Sequence, residues 1–204
     1  MRLFVSQDVW DQCWLHGRLP LLYLILIAVL AVSKVKIYQA GLADISAITK
    51  IKKRVWLVTY PNLGVDVNRD DVLKKDFIKL ELGRSRNMVS NNWRYWLAKK
   101  DGQLAGYIAA KKEAGQGIIK LIHVLPEFQG QGVGSALLNQ VLKWLKSKEV
   151  VLQVAKSNQK AISFYQKFGF FPTGRGNPIR VADKKIDTVK MITLDTWQYY
   201  KSVL

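Results

Sequence analysis

Between residues 123 and 138 the chain reads HVLPEFQGQGVGSALL, placing glycines 130, 132 and 134 between an apolar run and a second apolar stretch of helical spacing. A strand, a glycine-rich turn and a helix start together make an anion site. The first helical turn has unpaired N–H groups and a partial positive charge, and glycines let a phosphate approach the backbone. Pyrophosphate suits such a site. Two well-known phosphate loops do not fit the residues: a Walker loop closes on Gly-Lys-Ser/Thr, whereas Gly134 is followed directly by Ser135. A dinucleotide fingerprint needs a third glycine where Ser135 stands and an acidic residue about twenty positions on, where this chain has LQVAKSN.

The rest of the composition narrows the chemistry. Cys13 is the only cysteine and His16 and His123 the only histidines, so an intramolecular disulfide is excluded and a Cys/His zinc site is not expected. Metal-free chemistry in a reducing, cytoplasmic compartment is the expectation. A net charge of +17 attracts polyanions: nucleic acid, anionic lipid or phosphorylated cofactors. The clusters Lys52-Lys53-Arg54, Lys99-Lys100, Lys111-Lys112 and Lys184-Lys185 are dispersed along the chain, so nucleic acid is not the expected partner.

The elements that must position the glycine run belong to a mixed α/β (α+β) domain. VKIYQAG alternates as a first strand, and LADISAITKIKKRVW has helical spacing with Asp44 as its N-cap. VTYPNLGVDVN has turn chemistry and RDDVLKKDFIKLEL reads as a second helix. WRYWLAKKDGQLAGYIAAKK is a hairpin turning at Asp101-Gly102, and GIIKLIHVL is a fourth strand too apolar for an edge. SALLNQVLKWLKSK is an amphipathic helix, VVLQVAK a buried strand, SNQKAISFYQKFGF a helix stopped at Gly169, and TVKMITL a last strand.

Residues 1–34 differ from this domain, which spans 35–204. LPLLYLILIAVLAVS, residues 19–33, carries no charge and reads as a hydrophobic helix. A helix of that length rises only ~22 Å against a hydrocarbon core of ~30 Å. Three arrangements remain open: a short or interfacial membrane anchor, a helix packed on the domain, and an extension outside the functional fold. Membrane contact through 19–33 would put the basic flank at Lys34 and Lys36 on the cytoplasmic side. No feature of the sequence sets the oligomeric state.

With Gln129, Gly132 and Gly134 in a Gln-x-x-Gly-x-Gly pattern behind Val124-Leu125-Pro126, and with the second block LQVAKSNQKAISFYQKFGF, the chain resembles the GNAT superfamily of coenzyme A-dependent N-acetyltransferases. That resemblance covers roughly Val35 to Leu194, with both motifs present in the family's order. It implies a mostly antiparallel central sheet flanked by helices, with the fourth and fifth strands splayed to bind acetyl-CoA. Backbone N–H groups of the Gly130 to Leu137 stretch, contributed by Gly132, Val133, Gly134, Ser135, Ala136 and Leu137, would hold the pyrophosphate, with Gln129 starting the turn. Val124, Leu125 and Pro126 would pair with the pantetheine arm like an added strand. The Val124 N–H would polarise the thioester carbonyl. Asn158 would meet the cofactor arm or simply cap the following helix. Tyr165 would give a proton to the departing thiolate.

The implied activity is transfer of an acetyl group from acetyl-CoA to a primary amine, with a protein or peptide amine preferred over a small molecule. A protonated amine must lose a proton before it attacks. Where one branch of the family has a glutamate, this chain has Gln153, which cannot serve. His123 becomes the candidate base, with Glu81, Glu127 or a water chain behind it. Trp56, Tyr60, Trp93, Tyr95 and Trp96 are candidates to line an acceptor groove, and Arg175 and Arg180 to meet an acidic peptide or the ribose phosphate. A catalytically silent coenzyme A-binding module, and a basic scaffold associated with membrane or nucleic acid, are the alternatives of other classes.

Overall fold

The computed structural model describes residues 35–62, 83, 92–181 and 184–194. The apolar segment 19–33, Cys13, His16, Glu81 and the helix expected over 69–82 lie outside the described residues, as do the side chains of Tyr60 and Arg180. Among the described residues no helix is long and apolar enough to cross a membrane.

Strand β1 (Val35–Gln39) leads into a single 3₁₀ turn, Leu42–Asp44, and then α1 (Ile45–Asn62). Asp44 does not cap α1 as expected. Its carboxylate reaches back, accepting from the Gly41 N–H at 3.0 Å and from the Tyr38 hydroxyl at 3.2 Å. α1 also runs through the expected turn at VTYPN. Pro61 forfeits the N–H that would reach back to Leu57, and Asn62 is the last residue of this segment that the structure describes.

β2 (Arg94–Lys100) and β3 (Gln103–Glu113) form the expected hairpin. Asp101 and Gly102 both have positive φ, 50° and 81°, which matches the twist of the flanking strands. Ala114-Gly115 repeats the geometry, with φ of 46° and 81°, before β4 (Gln116–Val124). Then follow α2 (Val133–Leu145), β5 (Glu149–Ala155) and α3 (Gln159–Gln166). The chain ends its described part with β6 (Phe171–Arg175), the short pair β7 (Ile179–Val181) and β8 (Lys184–Ile186), and β9 (Thr188–Leu194). β6 is not separately legible in PTGRGNPIR, because glycines and a proline mask its extended backbone.

Among the described residues the main sheet has seven strands in the order β1-β2-β3-β4-β5-β9-β6. Every neighbouring pair is antiparallel except β4 and β5. Strand alternation sends Trp96, Ala98, Ile108, Ala110 and Ile119 to one face, where α2 packs Val133, Leu137, Leu138, Val141, Leu142 and Leu145. Burying one of the larger aliphatic side chains is worth about 1.5–3 kcal/mol. Tyr95, Leu97, Tyr107 and Ala109 take the other face, under Ile48, Ile51 and Val55 of α1.

Gly106 of β3 lies opposite Val124 of β4 in this register. A Cβ at Gly106 would stand 2.5 Å from the His123 carbonyl oxygen and 3.1 Å from the Val124 Cα. Both neighbours are backbone, so neither can rotate away. Gly106→Ala should therefore push β4 outward and lower stability by about 1–3 kcal/mol. Urea denaturation of the variant against wild type measures the loss.

Candidate active site

β4 and β5 begin as neighbours and then part. Their ladder pairs Gln116, Gly117, Ile118 and Ile119 with Glu149, Val150, Val151 and Leu152. It stops there, although β4 continues to Val124 and β5 to Ala155. In an antiparallel pair, alternate residues bond the partner strand. The Leu125 N–H donates to Ala105 O at 2.9 Å, so Val124 turns its own N–H and C=O away from β3, toward the gap left by β5. Gln129 Nε2 donates to that Val124 oxygen at 3.1 Å. The Val124 N–H faces the gap beside it.

Past β4 the chain makes a 3₁₀ turn, Pro126–Phe128, and then the glycine run. Gly130 and Gly132 have φ of 74° and 80°, a left-handed backbone that costs other residues roughly 1–2 kcal/mol. Nothing stands within 4 Å of a Cβ at either position, so the dihedral, not lack of room, requires glycine. Gly134 is different. It lies inside α2, where a Cβ would make ordinary contacts with Phe164 at 3.5 Å and Val124 Cγ2 at 3.7 Å.

Gly132 is the N-cap of α2 and offers no side chain. The N–H groups of Val133, Gly134 and Ser135 consequently have no acceptor within the helix. The Ala136 N–H already donates to Gly132 O at 2.9 Å, and the Leu137 amide falls under the same i to i−4 pattern. The open stretch is thus shorter than residues 132–137.

A cleft of about 430 Å³ joins the strand gap to this helix start, lined by Ile122, His123, Val124, Gln129, Gly130, Gly132, Gly134, Ser135, Gln153, Asn158, Lys160 and Tyr165 among others. Leu125 and Pro126 are outside that lining, Leu125 being buried in the core beneath α1. Val133 and Leu137 turn their side chains into the core beneath α2. Asn158 is the N-cap of α3, its Oδ1 accepting from the Ala161 N–H at 3.0 Å. That leaves its amide nitrogen for the cleft.

Tyr165 is buried between Phe164 and Phe170, with ring centroids 5.3 Å and 5.8 Å away. Burial raises its pKa, so the phenol keeps its proton throughout the neutral range.

His123 is half-buried on the α1 face, directly across from Tyr107 in the strand register. Its Nδ1 lies 3.0 Å from the Tyr107 hydroxyl. Burial, with the Lys52 ammonium adding to the effect, lowers its pKa from 6.5 to about 3. Gln153 shares this face at the mouth of β5, near Thr188 at 3.5 Å. Glu127 is not brought to the cleft; it is paired with Arg54 at 3.0 Å on the surface.

Of the aromatic candidates for an acceptor groove, Trp56 lines the cleft, together with Thr59 and Ile179. Trp96 packs against Trp144 at 4.9 Å, Tyr95 stacks on Tyr107 at 6.1 Å, and Trp93 meets Lys111 at 5.2 Å. Tyr95 and Trp96 belong to β2 and Trp93 immediately precedes it; none of the three lines the cleft. Arg175 is tied to Asp187 at 2.8 Å. Lys120 and Lys160 also line the cleft, and sequence reasoning does not single them out. The only signal for Lys160 is a basic residue two positions after the Asn158 cap.

The cleft thus joins an unpaired strand edge to an open helix start, with a protonated phenol in its wall. The profile of the Acetyltransferase (GNAT) family matches residues 52–170, more than half of the chain. The protein belongs to the GNAT acetyltransferase family. It is 26% identical over 112 residues to the 5-NmdU N-acetyltransferase of Pseudomonas phage PaMx11, covering 54% of this chain and 79% of the relative. It is 34% identical over 92 residues to an N-alpha-acetyltransferase of Sulfurisphaera tokodaii, covering 37% of this chain and 55% of the relative. Its fold matches the PaiA N-acetyltransferase of Thermoplasma acidophilum in complex with coenzyme A, with a TM-score of 0.62, 20% identity, and coverage of 79% of this chain and 99% of that one.

The His123 shift makes a prediction about stability. As pH falls below 6.5, the unfolded chain protonates this histidine while the folded chain does not until about pH 3. Stability supplied by the neutral, buried imidazole is present above pH 6.5 and is lost on acidification. In His123→Gln the urea midpoint should fall less between pH 7.5 and pH 4.5 than in wild type. Equal slopes in the two proteins would contradict the assignment.

Proposed function

We propose that this protein transfers the acetyl group of acetyl-CoA to an amine of a protein or peptide by direct attack in a ternary complex. The observation that carries this reading is the end of the β4–β5 ladder at Ile119 and Leu152. It opens the Val124 N–H toward the same cleft as the first turn of α2.

In this reading the N–H groups of Val133, Gly134 and Ser135 hold the pyrophosphate, and the free edge of β4 pairs with the pantetheine arm. The Val124 N–H donates to the thioester oxygen, where negative charge gathers as the amine attacks. A C–N bond forms and the C–S bond breaks. Tyr165 gives its proton to the departing sulfur and recovers one from solvent. An imidazole with a pKa of about 3 is a weak base toward an ammonium group, so His123 serves as a hydrogen-bonding wall for the amine. The amine's proton leaves through water at the mouth of the cleft.

A protein or peptide acceptor is favoured over a cationic polyamine by the lining itself. Among the described residues the cleft wall has Lys120 and Lys160 and no carboxylate to attract a multiply charged amine. The name of the Sulfurisphaera relative, an N-alpha-acetyltransferase, points the same way.

Acetyl-CoA titrated by calorimetry should bind wild type, and binding should be lost in Gly132→Asp, which sets a carboxylate at the α2 start. Equal binding by both proteins would remove the cofactor site. Tyr165→Phe retains the packing and loses the proton, so its kcat should fall about 10²-fold while the acetyl-CoA dissociation constant holds. An unchanged kcat would remove the acid role.

A further inference from the structure

Lys160 lies in the first turn of α3 and lines the cleft. Its ammonium donates to Gln129 Oε1 at 2.9 Å, while Nε2 of the same amide donates to Val124 O at 3.1 Å. A chain of two hydrogen bonds therefore crosses the cleft mouth, from α3 to the free end of β4. Nothing in that chain is anionic. The ammonium rests on a neutral amide oxygen, on the residue immediately before Gly130. A phosphate oxygen is a stronger acceptor for an ammonium than a neutral amide, and the nearby start of α2 is where an anion would be held. An anion seated there would outcompete Gln129 for Lys160.

We propose that Lys160 is a phosphate clamp of this cleft. Its ammonium, held on Gln129 Oε1, moves to a phosphate oxygen of coenzyme A as the cofactor binds. Gln129 keeps its bond to Val124 O during the exchange, so the open end of β4 stays held. The clamp brings a charge from α3 to a group otherwise bound by uncharged N–H donors of α2. This inference rests on the reading of the cleft as the acetyl-CoA site.

The test compares wild type, Lys160→Met and Lys160→Arg, with matching thermal melts to establish that all three are folded. Calorimetric titration with coenzyme A should show Lys160→Met about tenfold weaker than wild type, with Lys160→Arg closer to wild type. In steady state the loss should fall on KM for acetyl-CoA more than on kcat. S-acetylpantetheine, which has no phosphate, should be used equally well by wild type and Lys160→Met. With dephospho-coenzyme A, a persisting loss places the clamp on the pyrophosphate, and a vanished loss places it on the ribose phosphate; either supports the clamp. Equal coenzyme A affinity in wild type and Lys160→Met would overturn it. So would an equal loss with S-acetylpantetheine, because the lysine would then act on cleft shape. Failure of wild type itself to bind coenzyme A would overturn the cofactor reading instead.

Discussion

The arrangement of the site depends on four backbone pairings that are made and on those after them that are not. Beyond Ile119 and Leu152 the parallel strands β4 and β5 give up their ladder, leaving polar backbone groups that would each cost about 1–3 kcal/mol if buried without partners. The cleft keeps them within reach of water or a ligand. The Gln129 side chain satisfies the Val124 carbonyl, and Phe164 and Val124 converge on Gly134 of α2. These contacts fix the free end of β4 on the side away from β3. A gap in a sheet is normally a defect, but here it has neighbours that hold its shape.

Electrostatics follows from the same geometry. The chain carries a formal charge of +17, and Lys120 and Lys160 bring part of it to the cleft wall. The first turn of α2 adds a partial positive charge without any side chain. One end of the cleft therefore suits an anionic cofactor. On the α1 face, burial and Lys52 keep His123 uncharged, and the Tyr107 hydroxyl orients its ring at 3.0 Å. The two ends thus offer different environments, an electropositive helix start at one and an uncharged imidazole at the other.

Much of this is legible in sequence because it depends on local backbone chemistry. Asp101-Gly102 announces its hairpin, Asn158 its helix cap, and Gly130 and Gly132 a turn that needs positive φ. What stays hidden depends on partners distant in sequence. Gly134 looks equivalent to its two neighbours until α2 is seen to begin at Val133. Trp96 and Tyr95 look like acceptor contacts, and only the pairing of β2 with β3 assigns them to the two faces of the sheet. Lys160 and Gln129 are 31 residues apart, and no local pattern links them. The extension of α1 through Pro61 escapes a sequence reading because a proline removes an i to i−4 bond, and the turn chemistry at VTYPN suggests an earlier stop.

The two sides of the site meet in one dipeptide. His123 and Val124 are consecutive on β4, so strand alternation turns their side chains to opposite faces: His123 toward Tyr107 and α1, Val124 toward α2 and Phe164. Their amides also point in opposite directions, His123 to β3 and Val124 to the gap. A displacement of β4 must then move the His123 imidazole and the Val124 amide together. Gly106 is the residue beneath them, and its lack of a Cβ is what lets β3 approach the His123 carbonyl closely. A glycine with no place in the cleft wall therefore bears on both of these residues. It does so by setting the height of a single strand.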